Sequence, residues 1–277
     1  MATIRFGCQT YSWLMSGDAN RDRLDHIMRV AAQAGFAGLE SEVVMLGRLA
    51  DPAVMQANLT ANATTLGAVC LVQDWRGPGE TPAERAEADR IIALLGRFPG
   101  TVLSLCQMPG ADRVDLRARQ TNLLTCANTI ARRAADQGIR CTYHPNSPAG
   151  SVYRTAEDYE ILLAGLDQRV LGYAPDLGHI AAGGMDPLAI VKRYRSQVNH
   201  VHFKDMFPDR RWAPMGGGII DFAGIVAYLR DTAYDGWIMV EDECEQAEHD
   251  PDGATANNGV FVREKLVPIA KAGAAKG

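Results

Sequence analysis

The sequence contains no basic run, no CxxC pair and no long apolar segment. No window of about 18 uncharged apolar residues is present, so we expect no transmembrane helix. The first residues also lack the basic segment and apolar stretch of a secretion signal, and we expect a cytoplasmic protein. A formal net charge of −5 gives no electrostatic support for binding nucleic acid or an anionic membrane. These absences favour chemistry on a small molecule.

The six cysteines show no paired spacing, and four of them fall inside apolar runs that resemble strands. We therefore expect buried, reduced cysteines rather than disulfides or a metal cluster. The set is Cys8, Cys70, Cys106, Cys126, Cys141 and Cys244.

Short apolar or β-branched runs alternate with longer amphipathic segments along almost the whole chain, which is typical of βα units and a parallel sheet. Eight strand-like runs are predicted at 4–10, 36–40, 66–72, 101–107, 139–144, 170–176, 198–204 and 237–241. Helices between them are predicted at 21–34, 82–97, 114–137, 155–166, 187–195 and 222–231. Gly35, Gly138 and Gly236 each precede a strand, where we expect a positive φ at the end of a helix.

Eight parallel strands can form an open sheet or close into a barrel. No Gly-rich G-x-G-x-x-G turn follows the first strand, so an open dinucleotide-binding sheet lacks its main marker. The length of 277 residues suits one α/β barrel. We predict a single (β/α)8 TIM barrel over residues 1–270, with its active site at the C-terminal mouth, and a frayed tail at 271–277.

Four residues of metal-ligand type stand at the ends of the last four predicted strands: His144, Asp176, His202 and Glu241. Their separations of 32, 26 and 39 residues are close to one βα unit each, so adjacent strands would bring them together at the mouth. One strand-end histidine is more often structural, but four equivalent positions favour a site. Two imidazoles and two carboxylates suit one divalent ion per chain, with Mn2+ expected first and Co2+, Fe2+, Zn2+ or Mg2+ as alternatives.

The alternation of side chains along a strand refines this assignment. In HVHFKD, residues His200, His202 and Lys204 share one face. We expect His202 to be the ligand at the rim and His200 to be a deeper structural residue. Lys204 would lie higher, where it could meet a substrate oxygen or a carboxylate. The same alternation turns Glu241 and Glu243 inward, and Glu241 is nearer the end of the apolar run.

The segments DLGHI, HVHFKDM, MGGGIIDF and YDGWIMVEDE, together with FGCQTYSW and GFAGLE, resemble the xylose isomerase-like TIM-barrel family of sugar isomerases, epimerases and inosose dehydratases. The resemblance covers nearly the entire chain. It implies that Asp176, His202 and Glu241 bind the metal. It also implies that His179 contacts a metal ligand or the substrate and that Lys204 is a cation on the substrate side.

The chain departs from the ketose 3-epimerases of this family at one position. Those enzymes usually have a glutamate at the fifth-strand metal position, which works with the eighth-strand glutamate as an opposed acid/base pair. Here the stretch reads YHPN, with His144 in that place and Asn146 as a possible assisting ligand. It looks more like the YHHH stretch of inosose dehydratases, in which enolisation is followed by loss of a β-hydroxyl. The resemblance therefore implies dehydration rather than epimerisation.

A metal held at the mouth would stabilise the enolate oxygen formed when a base removes the proton α to a carbonyl. We expect an enzyme that acts in this way on a keto sugar, an inosose or a 3-keto glycoside. The catalytic candidates are Glu241, His179, Lys204 and Glu40, the last in the second-strand motif of the family. Their alternative roles are a purely ligating Glu241, a helix-capping His179 and a salt-bridged Glu40.

Candidate substrate contacts lie in the predicted mouth loops. Trp13, Trp75 and Trp212 follow strands one, three and seven, where they could pack on sugar C–H groups or anchor their loops. Gln107 ends the fourth strand, and Arg211 stands in the DRRW loop. Residues 216–218 form a glycine run that could approach a phosphate, yet no phosphate-loop pattern follows, which favours an unphosphorylated substrate.

Three other functions remain open from the sequence. A ketose epimerase or aldose–ketose isomerase would use the same single-metal site. An endonuclease related by fold would need several metals and a basic groove. A non-catalytic carbohydrate-binding paralogue would keep the pocket only. The expected partner is a small sugar or cyclitol, without nucleic acid or membrane, and a homo-oligomer is possible.

Overall fold

The computed structural model describes residues 3–272, in which eight parallel strands form one continuous sheet. Their bounds are β1 Ile4–Gln9, β2 Gly38–Glu42, β3 Thr65–Gln73, β4 Val102–Gln107, β5 Cys141–Tyr143, β6 Leu171–Tyr173, β7 Val201–Phe203 and β8 Gly236–Val240. The hydrogen-bonded order is β6-β5-β4-β3-β2-β1-β8-β7. Parallel bridges from Tyr173 to Val198 and from Asp176 to His202 join the two ends of the sheet. The sheet is therefore closed, and the predicted TIM barrel is confirmed.

Helices lie between the strands and after the last one. Those of six residues or more are Leu24–Ala34, Pro52–Ala61, Pro82–Leu95, Leu116–Ala135, Ala156–Gly165, Leu177–Ala182, Pro187–Arg193, Phe222–Asp231 and Pro251–Phe261. Shorter ones span Tyr11–Leu14, Glu245–His249 and Val267–Lys271. A two-stranded antiparallel ladder of Asp205–Met206 and Trp212–Ala213 stands in the loop after β7. Among residues 3–272, no helix is long and apolar enough to cross a membrane.

The predicted helix starts follow the expected capping chemistry. Thr81 and Glu84 form a reciprocal capping box, as do Thr155 and Asp158, so the first free N–H groups of both helices are satisfied. Asp186 accepts from the N–H of Ala189 at 2.9 Å ahead of the helix Pro187–Arg193. These contacts fix where each helix leaves its loop.

Two of the three predicted positive-φ glycines are confirmed and one is wrong. Gly35 and Gly138 have φ of 93° and 73° just after their helices. Gly236 is instead the first residue of β8, where an added Cβ would lie 2.6 Å from the Tyr234 hydroxyl. The left-handed position belongs to Ala233, with φ of 53°, two residues after the helix Phe222–Asp231 ends and three residues before Gly236.

Large side chains of β8 fill the lower part of the barrel. An added Cβ at Gly7 would lie 2.4 Å from the Met239 sulfur, and one at Gly38 would lie 2.6 Å from the Trp237 ring. Both side chains are buried, so the glycines of β1 and β2 give them the space they occupy. This packing closes the barrel below the mouth and leaves the C-terminal strand ends for polar groups.

The last strands are shorter than predicted. The runs at 139–144, 170–176 and 198–204 contain regular strands of only three residues each, β5, β6 and β7. Consequently His144, Asp176 and Lys204 stand in the backbone just after their strands.

All six cysteines are buried and unpaired, as predicted. The predicted division into a domain of 1–270 and a frayed tail stays a prediction. Residues 273–277 of that tail lie outside the described residues, and Lys271 ends the last helix.

Candidate metal centre

The four predicted ligands meet at the mouth of the barrel. One ligand atom from each of His144, Asp176, His202 and Glu241 lies within 4.8 Å of the others, and all four residues are buried. His144 Nε2 is 3.4 Å from an Asp176 carboxylate oxygen, and His202 Nδ1 is 2.9 Å from Glu241 Oε2. Ligands bound at about 2.1 Å in a tetrahedron stand roughly 3.4 Å apart. The spacing and the two-nitrogen, two-oxygen donor set therefore fit a divalent transition ion.

Glu40 orients His202 from below. Its Oε2 accepts from His202 Nε2 at 3.0 Å and from His200 Nε2 at 2.7 Å, and the carboxylate is fully buried. Burial would raise the pKa of Glu40, but the facing imidazoles of His202 and His200 hold that pKa well below its ordinary value. With Nε2 engaged, His202 presents Nδ1 to Glu241, the arrangement in which a carboxylate fixes the tautomer of a ligating histidine.

The Glu40 carboxylate lies beneath His202 and is not among the residues that line the cavity at the mouth. Its pairs with His200 and His202 agree with the alternative, salt-bridged role, and its catalytic role stays a prediction. His200 lies at the same depth, in agreement with its expected structural role. Glu40, His200 and His202 form a second group with metal-binding spacing, but neither Glu40 nor His200 lines the cavity.

Lys204 supplies a buried positive charge beside the ligands. Its Nζ lies 2.8 Å from Glu241 Oε1 and 3.6 Å from Asp176 Oδ2, and it also donates to Glu243. Burial works against the charge, but the Asp176 and Glu241 carboxylates raise the pKa of Lys204 well above its ordinary value. The ammonium thus balances part of the negative charge of the centre.

His179 links Lys204 to the loop after β5. The Asp176 carboxylate caps the helix Leu177–Ala182 by accepting the His179 N–H at 2.7 Å. Lys204 Nζ lies 3.1 Å from His179 Nε2, and Ser147 Oγ lies 2.8 Å from His179 Nδ1. Burial and the neighbouring ammonium lower the pKa of His179 to about 3, so the ring is neutral. It accepts from Lys204 and donates to Ser147.

A cavity of about 370 Å³ opens above this group. His144, His179, Glu241 and Glu243 stand on its metal side. The facing wall is largely apolar and includes Val43, Val44, Leu71, Val72, Met108 and Pro109. Glu42 also faces the cavity, and the sequence reasoning missed it. The sequence pattern could have indicated it, because alternation along β2 puts Gly38, Glu40 and Glu42 on the same face.

Of the five predicted substrate contacts, Trp212 lies beside Lys204 and His179, and the other four side chains have partners elsewhere. Trp212 is half-buried, with its ring 5.2 Å from Lys204 Nζ and 5.5 Å from the His179 ring. Trp13 is fully buried, and its indole donates to Asp252 at 2.7 Å, so it anchors its loop.

Gln107 and Arg211 are also engaged away from the cavity. The Gln107 side chain is buried and donates to the Asp74 carbonyl at 2.9 Å. Arg211 is exposed and pairs with Asp209 at 2.9 Å. Trp75 is buried, with its indole donating to Gln73. None of these candidates, Trp212 included, is among the residues that line the cavity, and their substrate contacts stay predictions.

Asn146 lines the cavity, and its side chain is held by contacts within the protein. Its amide nitrogen donates to the Gln107 carbonyl at 2.7 Å, and its oxygen accepts from Ser151. Its assisting role at the metal stays a prediction, whereas His144 belongs to the ligand group.

The glycine run after the antiparallel ladder is occupied by a carboxylate of the protein itself. Asp205 Oδ2 accepts from the N–H groups of Gly216 and Gly218 at 3.0 and 2.9 Å, and Oδ1 is 3.3 Å from the N–H of Ile220. Amides used in this way are not available to a phosphate. The contacts hold the loop that carries Trp212.

The fold and site define a (β/α)8 barrel with a buried group at its mouth that fits one divalent ion. The chain belongs to the family described as xylose isomerase-like TIM barrel, whose sequence pattern matches residues 28–263. An inosose dehydratase of Geobacillus kaustophilus (strain HTA426) is 25% identical over 288 residues, covering 90% of each chain. One of Clostridium botulinum (strain Alaska E43 / Type E3) is 27% identical over 156 residues, and this match covers 50% of the chain and 52% of that protein.

Solved structures share the fold at low identity. The probable 3-DHS dehydratase AsbF of Bacillus anthracis has a TM-score of 0.75 at 16% identity, over 94% of this chain and 99% of that one. The 3-keto-D-glucoside 4-epimerase YcjR of E. coli has a TM-score of 0.73 at 17% identity, over 94% of this chain and 99% of that one. The IOLI protein, described with a bound zinc atom, has a TM-score of 0.73 at 11% identity, over 97% of this chain and 98% of that one. The family and the named relatives support the prediction of a sugar-processing lyase or isomerase/epimerase.

Proposed function

We propose that this protein is a divalent-metal-dependent enzyme that removes the α-proton of a keto sugar, an inosose or a 3-keto glycoside and then eliminates a β-hydroxyl as water. The observation that carries the proposal is the group of His144, Asp176, His202 and Glu241, two of which line the mouth cavity. The relatives named inosose dehydratase support the dehydration.

The metal has a defined place in this proposal. His144, Asp176, His202 and Glu241 would hold one ion, with Mn2+ expected first, and the zinc described for the IOLI structure supports a divalent ion. When bound there, the ion supplies the positive charge that stabilises an enolate oxygen.

The side chains of the protein perform the proton steps. Glu241 faces the cavity and is assigned as the group that accepts the α-proton. Lys204 stands 2.8 Å from Glu241 and balances its charge before the transfer. The apolar wall of the cavity restricts water around the reacting carbons, and Trp212 packs beside Lys204. His179 is held between Lys204 and Ser147, and we assign it the role of contacting a substrate oxygen.

His144 favours elimination over epimerisation. A ligating imidazole uses its lone pair on the ion and cannot also receive a proton, whereas a ligating carboxylate keeps a second oxygen for that purpose. With histidine at this position, the side of the substrate facing β5 lacks the base that two-base epimerisation needs. The epimerase YcjR shares the fold, so epimerisation or isomerisation at the same site is the alternative.

The hydrogen bonds between the Asp205 carboxylate and the glycine loop support an unphosphorylated substrate. The amides of Gly216 and Gly218 donate to the Asp205 carboxylate, so this glycine loop offers no phosphate cradle. A free cyclitol, ketose or glycoside fits the cavity chemistry better than a sugar phosphate.

An activity screen tests the proposal. The purified protein is incubated with an inosose, a 3-keto glycoside or a free ketose, each with Mn2+ or with EDTA. We expect a conjugated dicarbonyl product, seen by its ultraviolet absorbance, only with metal, and none from His202→Ala. Full activity in EDTA would contradict the metal role. Rapid epimerisation of the ketoses without loss of water would favour the alternative.

A further inference from the structure

A carboxyl group of β2 lines the cavity in addition to Glu87, Glu241 and Glu243. Glu42 is the last residue of β2 and, like Glu40 two positions earlier, projects into the barrel. Because it stands one step higher on the strand, it lines the cavity together with His144 and Glu241. The residue is buried, and the cavity is the side from which a bound molecule can reach its carboxyl group.

Glu42 is firmly oriented. Gln9 Nε2 donates to Glu42 Oε1 at 2.8 Å, and the Glu42 N–H donates to Thr10 Oγ1 at 2.9 Å. Gln9 is itself fixed, since its side-chain oxygen accepts from the N–H of Tyr11. The neutral Gln9 amide holds the carboxyl group and the Thr10 hydroxyl holds the backbone of Glu42, and neither adds positive charge.

The environments of Glu42 and Glu241 differ in charge. In the described part of the chain, no Lys, Arg or His nitrogen lies within 4.0 Å of Glu42, whereas Glu241 contacts both Lys204 and His202. Burial raises the pKa of Glu42 to about 7, although the Gln9 amide opposes the shift. Two carboxyl groups placed in such different surroundings of one cavity are suited to opposite proton-transfer roles.

We propose that Glu42 is the acid that protonates the departing hydroxyl in the elimination. This role rests on the proposed function. Glu241 takes the α-proton, and the C–H electron pair forms the enolate. The carbon–carbon double bond then forms as the β C–O bond breaks, and the Glu42 proton joins the leaving oxygen to give water. Glu42 becomes a carboxylate, and exchange with solvent restores both groups before the next turnover.

The positions of the strands agree with this division of work. Glu42 ends β2 and Glu241 follows β8, and β1 lies between these strands in the sheet. Two strand spacings separate their backbones by roughly 10 Å, and both side chains point inward. The two carboxyl groups can therefore address neighbouring atoms of one sugar ring.

The test separates proton removal from loss of water. Wild type, Glu42→Gln and Glu241→Gln are loaded with Mn2+ and incubated in D2O with 2-keto-myo-inositol, an inosose. NMR follows deuterium entering at the carbon next to the carbonyl, and ultraviolet absorbance follows the conjugated product. Glu42→Gln keeps the volume and the oxygen that accepts from Gln9. Glu157→Gln, at an exposed carboxylate paired with Arg117, is the control.

We expect Glu42→Gln to bind Mn2+, melt like wild type and continue to exchange deuterium, while its elimination rate falls by about 100-fold or more. Glu241→Gln should lose both signals. Wild-type elimination by Glu42→Gln would overturn the role of Glu42 alone. Loss of both signals in metal-loaded Glu42→Gln would also overturn it, because the residue would then serve binding. Wild-type protein with neither signal would overturn the proposed function and this role together.

Discussion

Replacing Glu40 by glutamine should weaken metal binding without removing the chemistry. The Glu40 carboxylate accepts from His202 Nε2 at 3.0 Å and from His200 Nε2 at 2.7 Å, so it fixes which His202 nitrogen faces Glu241. Glutamine can keep the oxygen that accepts from both imidazoles and place its NH2 group where Oε1 has no hydrogen-bond partner, but it loses the negative charge. A neutral amide oxygen accepts more weakly than a carboxylate, so it holds the proton on His202 Nε2 less firmly. A His202 ring with its proton on Nδ1 instead cannot ligate through that atom.

The size of the effect follows from the position of Glu40 behind a ligand. Loss of such a supporting partner typically lowers metal affinity about 10- to 100-fold, or about 1.4 to 2.7 kcal/mol. Alanine is a poorer choice, since removing one partner of a buried ion pair can cost about 3 to 5 kcal/mol of folding stability. Both imidazoles and the carboxylate are fully buried, so solvent does not replace the lost contact.

The assay is a Mn2+ titration of wild type, Glu40→Gln and the exposed control Glu157→Gln, with melting temperatures measured on the same samples. At saturating Mn2+, Glu40→Gln should recover most of the wild-type turnover. Unchanged affinity combined with lost turnover would refute the supporting role and restore the proton-transfer role expected from the sequence.

Three further outcomes follow from the packing and the ligand set. Gly7→Val should destabilise the barrel by about 1 to 3 kcal/mol because it overpacks against Met239, and an unchanged melting temperature would contradict this account of the interior. His202→Ala should stay folded by circular dichroism but lose metal in elemental analysis, whereas Val201→Asp, at a fully buried position, should unfold the protein. His144→Glu should retain the metal and raise C-epimer exchange relative to elimination, and an unchanged ratio would count against the proposed role of His144.

The convergence of the four ligand candidates could be predicted because it depends on two local rules. Strands alternate their side chains, and successive βα units place equivalent strand ends at one mouth. His144, Asp176, His202 and Glu241 obey both rules. The regular strands end earlier than the apolar pattern indicated, but the extended backbone that follows β5 and β6 keeps its direction into the mouth.

Depth within the barrel was not predictable from the pattern. Alternation places Glu40 and Glu42 on the same face, but the stagger of neighbouring strands decides which one meets the cavity. Glu40 was expected either to act on the substrate or to form a salt bridge, and its carboxylate lies under His202. Glu42 was overlooked and faces the cavity.

Loop side chains were the least predictable, because their direction depends on tertiary partners far away in sequence. Trp13 is drawn inward by Asp252, more than two hundred residues later. Trp212 instead reaches Lys204 through a loop whose shape is set by Asp205 and the backbone amides it binds. The sequence indicated an aromatic residue in a loop at both positions, but it could not tell the buried anchor Trp13 from Trp212, which lies beside Lys204.

The position of the ion tests the central claim most directly. Crystals grown with Mn2+ and measured at the manganese absorption edge should show one anomalous peak per chain, about 2.0 to 2.3 Å from donor atoms of His144, Asp176, His202 and Glu241. Absence of a peak at saturating Mn2+, or a peak among Glu40, His200 and His202 instead, would contradict the account.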